Sequence, residues 1–175
     1  MAALSKVYWR ETWKLRLFGL AKIPLLLFCM PKVVEYSDTA AAVMIPLNWR
    51  TRNHLRSMYF GALSVGADCA GGLIAMFEIM RRKAPVSLIF KEFKAEFLKR
   101  PMADVVFRCV QGEEIRGWVD KAISSGERVN GTVNLIATCP SLSDEPVAKF
   151  ALTISMKRKD AKNSAAEEAA TSAVQ

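Results

Sequence analysis

A single acidic residue stands in the middle of the most apolar segment of this chain. The segment from Met58 to Met80 reads as one long helix, with Asp68 in the middle of its apolar length and Glu78 only near its end. Burial disfavours the charged form of a carboxylate unless a partner stabilises it, so such an acid is either paired or used in chemistry. Because an ionised carboxylate can act as a general base or a nucleophile, Asp68 is the first catalytic candidate.

The residues around Asp68 form a spaced motif, N-x5-Y-F-G-x6-D-x2-G-G, which begins at Asn53 and ends at Gly72. This pattern resembles the central-helix segment of hotdog-fold acyl-CoA thioesterases, in particular the phenylacetate-pathway-like group and its relatives of unassigned function. The resemblance covers about residues 32–157. It implies an α+β hotdog fold, in which a curved antiparallel sheet wraps around one long central helix.

The resemblance also implies a function and a set of catalytic residues. We expect hydrolysis of an acyl-CoA-type thioester, without a cofactor, in a groove between two subunits of a homodimer or homotetramer. Asp68 would be the general base or nucleophile, and free backbone N–H groups of Phe60 and Gly61 at the helix N-terminus would stabilise the oxyanion. By the family pattern, Asn53 would orient the water or the thioester, and Ser87 would supply an assisting hydroxyl.

Positive charge is concentrated in the first third of the chain. The net charge is +8, and residues 1–60 hold nine Lys and Arg against three Asp and Glu, whereas residues 61–175 hold sixteen against fourteen. Such a region can meet a phosphate-rich ligand, a nucleic acid or a membrane surface, or can be a solvated face. On the thioesterase interpretation, Arg52, Arg56 and Arg100 would hold the coenzyme A phosphates and Tyr59 would border the substrate.

Several alternatives remain open at this stage. Many relatives have His-Gly-Gly where this chain has Tyr59-Phe60-Gly61, and the sole histidine, His54, is more typical of a hydrogen-bonded loop residue than of a catalyst. Asp68 could instead be a structural helix acid. The main rival function is a non-catalytic acyl-CoA-binding or ligand-sensing hotdog protein, and dehydration of 3-hydroxyacyl thioesters is weaker because it usually needs a histidine. The sequence contains no recognisable nucleic-acid-binding motif, so the positive charge alone does not support binding of a nucleic acid.

The N-terminal segment, residues 1–31, is predicted to be helical and amphipathic. We expect a helix over residues 4–22 that packs on the domain, with Val7, Trp13, Leu17 and Leu20 available for its apolar face. Its cations, which would lie on other faces, are Lys6, Arg10, Lys14 and Arg16. Peripheral membrane contact is the lesser alternative, so we do not expect it.

The remaining segments predict strands, one further helix and a tail. Strands are expected near residues 33–36, 41–46, 86–98 (with a bulge near Lys91-Glu92), 103–110, 129–138 and 147–156, with a helix over 112–125 that Gly126 ends. Residues 158–175 lack apolar anchors and are predicted to be disordered. The four cysteines include no C-x-x-C pair, so we expect no metal site, and free buried thiols favour a cytoplasmic location.

Overall fold

The order of helices and strands follows the sequence prediction closely. The computed structural model describes residues 6–159, so most of the predicted tail lies outside the described residues. The elements in chain order are α1 (Trp9–Lys22), α2 (Pro24–Phe28), β1 (Lys32–Tyr36), β2 (Ala41–Ile45), α3 (Phe60–Arg82), β3 (Val86–Phe97), β4 (Val105–Cys109), α4 (Gly112–Ser125), β5 (Val129–Cys139) and β6 (Ser143–Arg158).

The six strands form one antiparallel sheet that curves around α3. Their order is β1-β2-β4-β5-β6-β3, and β6 pairs with β3 over eleven registered positions. The core lies between the concave face of this sheet and α3, where Phe107, Leu135 and Leu152 are almost completely buried with Leu73 and Ile74 of the helix. This is the hotdog arrangement, and the predicted fold class is confirmed.

The small residues of α3 allow strands to approach the helix closely. A Cβ atom built on Gly66 would lie 2.2 Å from the ring of Phe107 on β4, so only glycine fits beneath that ring. The helix is long and apolar enough to cross a membrane by length and composition, but most of it is buried inside the molecule. We therefore assign α3 as the core helix of the fold.

Strand β3 is an edge of the sheet and carries exposed apolar side chains. The predicted bulge is confirmed, because the pairing register with β6 shifts between Phe90 and Glu92 and leaves Lys91 without a registered partner. Ile89, Phe93 and Phe97 are between 43% and 51% exposed. An unpaired edge with exposed apolar residues is a ready template for another chain.

The N-terminal helix packs on the domain, but with a different face from the predicted one. The buried residues of α1 are Thr12, Leu15, Arg16 and Gly19, whereas Trp13, Leu17 and Leu20 are each more than half exposed. Thr12 Oγ1 accepts a hydrogen bond from the Val33 N–H at 2.9 Å, and Arg16 Nε donates to the Pro31 carbonyl at 3.0 Å. The predicted apolar face is therefore wrong.

Elsewhere the predicted elements are present, with shifted ends. Helix α4 has the predicted bounds, and Gly126 ends it in the left-handed region at φ 69°. Strand β6 begins at Ser143, four residues before the prediction, because it pairs with β5 up to the turn. The cysteines Cys29, Cys69, Cys109 and Cys139 are all free and buried.

Candidate functional site

Asp68 lies on the third turn of α3 and lines an apolar cavity of about 620 Å³. Helices α1 and α2 form one wall, with Leu15, Phe18 and Leu26. The opposite wall is the first half of β3, and the floor is the middle of α3, where Gly72 keeps the space open next to the Phe90 ring. Such a volume and apolar lining are typical of a small-molecule binding site.

The carboxylate of Asp68 is unpaired within residues 6–159. No side chain or backbone group of the described chain donates a hydrogen bond to it, and no cation lies within ion-pair distance. Burial in this apolar environment raises the pKa of Asp68 from 3.8 to about 6. A carboxylate with this pKa is ionised at neutral pH and is a stronger base than an exposed aspartate.

Ser87 lines the same cavity as Asp68, so the structure brings these two predicted site residues together. The Ser87 hydroxyl donates a hydrogen bond to the Lys157 carbonyl at 3.1 Å, which leaves its oxygen free to accept one from a ligand or a water. Lys159 also lines this cavity. From the sequence, Lys159 is expected in the tail and α1 outside the site, because no local pattern indicates that either one folds back over α3.

The N-terminus of α3 offers free hydrogen-bond donors. The first intrahelical bond runs from the Leu63 N–H to the Tyr59 carbonyl, so the N–H groups of Phe60, Gly61 and Ala62 have no partner among residues 6–159. The Tyr59 and Phe60 rings stack at a tilt, 4.7 Å apart, and both are about half exposed. A Cβ atom at Gly61 would lie 2.4 Å from the Tyr59 ring, so glycine permits this arrangement.

Asn53 closes the loop that leads into α3. Its Oδ1 accepts hydrogen bonds from the Leu55 and Ser57 N–H groups at 2.9 and 3.2 Å, and its Nδ2 donates to Ser57 Oγ at 3.0 Å. This loop positions the helix N-terminus, but Asn53 does not line the Asp68 cavity. The predicted role of Asn53 in orienting a water therefore stays a prediction.

The three predicted phosphate-binding arginines are exposed. Arg52, Arg56 and Arg100 make no ion pair within the described part of the chain, so their guanidinium groups are available to an anionic ligand. Arg52 and Arg56 belong to the loop before α3, where Arg56 adopts a left-handed conformation at φ 62°. Within residues 6–159, no cluster of His, Cys, Asp or Glu side chains could hold a metal ion.

One chain does not bring the whole predicted site together. Asp68 follows the free donors at Phe60, Gly61 and Ala62 by six to eight residues of continuous helix, which corresponds to a rise of about 9–12 Å. A general base acts within hydrogen-bond distance of its substrate, directly or through one water. The Asp68 carboxylate and the helix N-terminus of the same chain are therefore too far apart to act on one thioester carbonyl.

Comparisons with known proteins agree with this architecture. A sequence model of the family described as "Domain of unknown function (DUF4442)" matches residues 12–156, and no curated protein matches the chain. A protein of unknown function from Chlorobaculum tepidum has a TM-score of 0.74 at 14% identity, covering 87% of this chain and 98% of its own.

Two similar structures carry a functional description. A Pseudomonas aeruginosa protein of unknown function described as "Probable Thioesterase" has a TM-score of 0.67 at 21% identity, covering 85% of this chain and 96% of its own. A Haemophilus influenzae thioesterase has a TM-score of 0.61 at 12% identity, covering 81% of this chain and 88% of its own. At these identities the likeness establishes the fold alone, which is the hotdog fold predicted from the sequence.

Proposed function

The chain belongs to the family described as "Domain of unknown function (DUF4442)", and we propose that it hydrolyses an acyl-CoA-type thioester in a groove between two subunits. Asp68, as a general base, takes a proton from a water that attacks the thioester carbonyl. Free N–H groups at the N-terminus of α3 stabilise the oxyanion, and its collapse expels the coenzyme A thiolate and leaves the free acid. Direct attack by Asp68 is the nucleophilic variant of this mechanism.

The observation that carries this proposal is the unpaired Asp68 carboxylate in an apolar cavity. Perturbed pKa values collect at functional sites, and the pKa of Asp68 is raised to about 6 by burial alone. Ser87, in the same cavity, has a hydroxyl oxygen that can accept a hydrogen bond from the attacking water. A structural acid needs a partner that compensates its burial, and none is present for Asp68 within residues 6–159; a partner supplied by a second subunit is the outcome that the stability measurements test.

The cavity also supports a substrate class. Its lining is aliphatic and aromatic apart from Asp68, Ser87, Cys69 and Lys159, so it suits an aliphatic acyl chain better than a polar acyl group. Arg52, Arg56 and Arg100 are proposed to contact the phosphates of coenzyme A. If they do so, the affinity for coenzyme A should fall as the salt concentration rises, and neutralising all three arginines should weaken coenzyme A binding.

A dimer would complete the site. Because Asp68 and the free donors at the helix N-terminus of one chain lie about 9–12 Å apart along α3, we assign the oxyanion donors for each Asp68 to a second copy. The exposed apolar edge at β3, which borders the Asp68 cavity through Phe90, is the proposed contact between copies. A homodimer or homotetramer in the cytoplasm agrees with this arrangement and with four buried free thiols.

The proposal is tested with a panel of short, medium, long and aromatic acyl-CoAs, with free thiol release as the readout. We expect turnover with at least one aliphatic substrate. Mixing Asp68→Asn and Gly61→Val subunits tests the shared site, since the added side chain of the second variant would displace the Tyr59 ring beside the donors. After random reassortment about half of the dimers contain one subunit of each kind. In such a dimer one of the two sites combines an intact Asp68 with intact donors, so the mixture should recover about a quarter of wild-type activity.

The sensing alternative makes a different prediction in the same assay. A binding protein would release no thiol from any acyl-CoA, yet would bind one of them tightly by calorimetry. If each variant on its own were as active as the wild type, neither Asp68 nor Gly61 would take part in the mechanism. A monomer at micromolar concentration by light scattering would contradict the shared groove.

A further inference from the structure

Helices α1 and α2 leave an unusually apolar surface uncovered. In α1, Trp9, Trp13, Leu17 and Leu20 recur every three or four residues, and each is between 54% and 61% exposed. The surface continues through the following residues, where the Phe28 ring meets the Trp49 ring edge-on at 6.1 Å. We call this the α1–α2 surface, and its exposed apolar residues are Trp9, Trp13, Leu17, Leu20, Ile23, Leu25, Phe28 and Trp49.

Cations border the α1–α2 surface. Arg10 follows Trp9 along α1 and is exposed, and Glu11 is the sole acid of this helix. Lys14 follows Trp13, but its Nζ lies 5.5 Å from the ring centre of Phe77 on α3 and so faces the domain. At the other end, the Arg50 guanidinium lies 5.1 Å from the Trp49 ring centre and 5.8 Å from that of Phe28. Tryptophan and leucine on one helix face with Lys and Arg beside them are typical of helices that lie in a lipid interface.

The two helices also separate this surface from the Asp68 cavity. Leu15, Phe18 and Leu26 line the cavity from the inner side, while Leu17, Leu20 and Leu25 lie on the outer side. Ile23, between α1 and α2, is exposed and also lines the cavity. A molecule bound to the outer surface would therefore be one helix diameter from Asp68, with Ile23 at the boundary.

We propose that the α1–α2 surface docks on a lipid bilayer that contains anionic headgroups. The apolar stripe enters the interface, and Arg10 and Arg50 contact the headgroups. A second copy fits less well, because the same surface on it carries the same excess of positive charge. Binding to the bilayer does not depend on thioester hydrolysis. The proposed function is needed only for the idea that an acyl thioester passes from the bilayer to the cavity.

The proposal is tested by flotation of the full chain with vesicles of phosphatidylcholine alone or with 30% phosphatidylglycerol, a composition of about the charge of a bacterial or inner-leaflet surface. We expect strong flotation with the anionic vesicles, weak flotation with the neutral ones, and a loss of binding between 0.1 and 0.5 M salt, on the order of the Debye screening change. Emission from Trp9, Trp13 and Trp49 should shift to shorter wavelength and be quenched by brominated lipid tails.

A matched pair of variants locates the surface. Leu20 and Leu142 are each 61% exposed, and Leu142 lies in the turn before β6. Leu20→Glu should lower the partition coefficient at least ~10-fold, since a leucine side chain leaves the interface, whereas Leu142→Glu should bind like the wild type. The double change Arg10→Gln/Arg50→Gln should lower the partition coefficient about fivefold per cation on anionic vesicles only.

Three results would overturn the proposal. One is a folded wild-type protein, by circular dichroism, that stays unbound to anionic vesicles. Another is equal flotation of Leu20→Glu and Leu142→Glu. The third is a drop in molecular mass on light scattering with Leu20→Glu, which would show that a second copy covers the surface. Thioesterase failure would leave all vesicle results unchanged, so the two proposals fail separately.

Discussion

Two carboxylates on the same helix have opposite environments. Glu78, near the end of α3, is 5% exposed, and its Oε2 accepts hydrogen bonds from Arg81 at 2.8 Å and Arg82 at 3.0 Å. Its Oε1 lies 3.3 Å from Arg116 Nε on α4. Burial raises the pKa of Glu78, but the hydrogen bonds from Arg81 and Arg82 outweigh it and the pKa is lowered.

Asp68, ten residues earlier, has none of these partners. Burial is the sole cause of its pKa shift, and the shift is upward, to about 6. The difference separates two uses of a buried acid: Glu78 joins α3 to α4, whereas Asp68 keeps an uncompensated charge next to an open cavity. A fold that tolerates such a group loses stability, and this cost is typical of catalytic sites.

The largest expected difference between the two acids is in turnover. Asp68→Asn keeps the side-chain shape but removes the base, so kcat should fall ~10²–10⁴-fold on the best acyl-CoA of the panel. Glu78→Gln should leave kcat within a few fold, because Glu78 does not line the cavity. Thiol release on folded, equally concentrated proteins measures both. Equal losses in the two variants would mean that Asp68 is structural like Glu78.

The pH dependence of the rate should follow Asp68 rather than Glu78. The base must be ionised, and with a pKa of about 6 kcat/KM should fall about tenfold for each pH unit below 6 and level off above it. Glu78→Gln should show the same profile. The measurement is kcat/KM between pH 4.5 and 8, a range on the order of two units each side of that pKa, and a flat profile would exclude Asp68 as the base.

Much of this contrast could be predicted from the sequence, but not all of it. Asp68 was identifiable because an acid in an apolar helix is rare and because its spacing from Tyr59-Phe60-Gly61 matches a known motif. Two partners of Glu78, Arg81 and Arg82, stand three and four residues later on the same helix, where helical spacing predicts such pairs. The third could not be predicted, because Arg116 comes 38 residues later and reaches Glu78 only when α4 packs on α3. Likewise, α1 and β3 form opposite walls of the Asp68 cavity only through tertiary packing, which no local sequence pattern indicates.

The orientation of α1 shows why hydrophobic periodicity failed there. Periodicity assumes that the apolar stripe is buried, yet the side of α1 that faces the domain carries Thr12, Arg16 and Gly19. A Cβ atom on Gly19 would lie 3.0 Å from the Leu27 N atom, so a small residue permits close packing of α2. Thr12 and Arg16 instead satisfy backbone groups near β1, a role that no apolar residue could fill.

The stability of the fold should depend on Glu78 more than on Asp68. Glu78→Gln removes the negative charge that Arg82 and Arg116 share, so we expect a loss of about 2 kcal/mol at pH 7, below the range for a fully buried pair because Arg81 is exposed. Glu92→Gln, which breaks an exposed pair with Lys94, is the control and should leave the free energy of unfolding nearly unchanged. Urea unfolding measures both.

The pH dependence of that loss has a definite sign. The pKa of folded Glu78 is lower than its ordinary value of 4.5, so its contribution is present above that value and disappears as the pH falls through the folded pKa. The stability gap between wild type and Glu78→Gln should therefore narrow under acid conditions. A gap that is unchanged between neutral and strongly acid pH would show that the charge of Glu78 contributes nothing.

The smallest predicted effect has the opposite sign and concerns the stability of Asp68→Asn. Folding raises the pKa of Asp68 from 3.8 to about 6, so the native state disfavours its charge. The unfolded chain ionises first, and native stability therefore falls between those two values and stays reduced above them. The shift corresponds to at most about 3 kcal/mol, and partial exposure of the side chain lowers our expectation to about 1 kcal/mol.

Asp68→Asn should accordingly be more stable than the wild type at pH 8, by urea unfolding or by a higher Tm, and nearly equal to it near pH 3.5, about where the unfolded acid is protonated. A structural Asp68 that bonds to a partner subunit would give the reverse, a loss of stability at pH 8. A variant that is both more stable and inactive would establish the distinction from Glu78, because only an acid kept for chemistry lowers stability while supporting turnover.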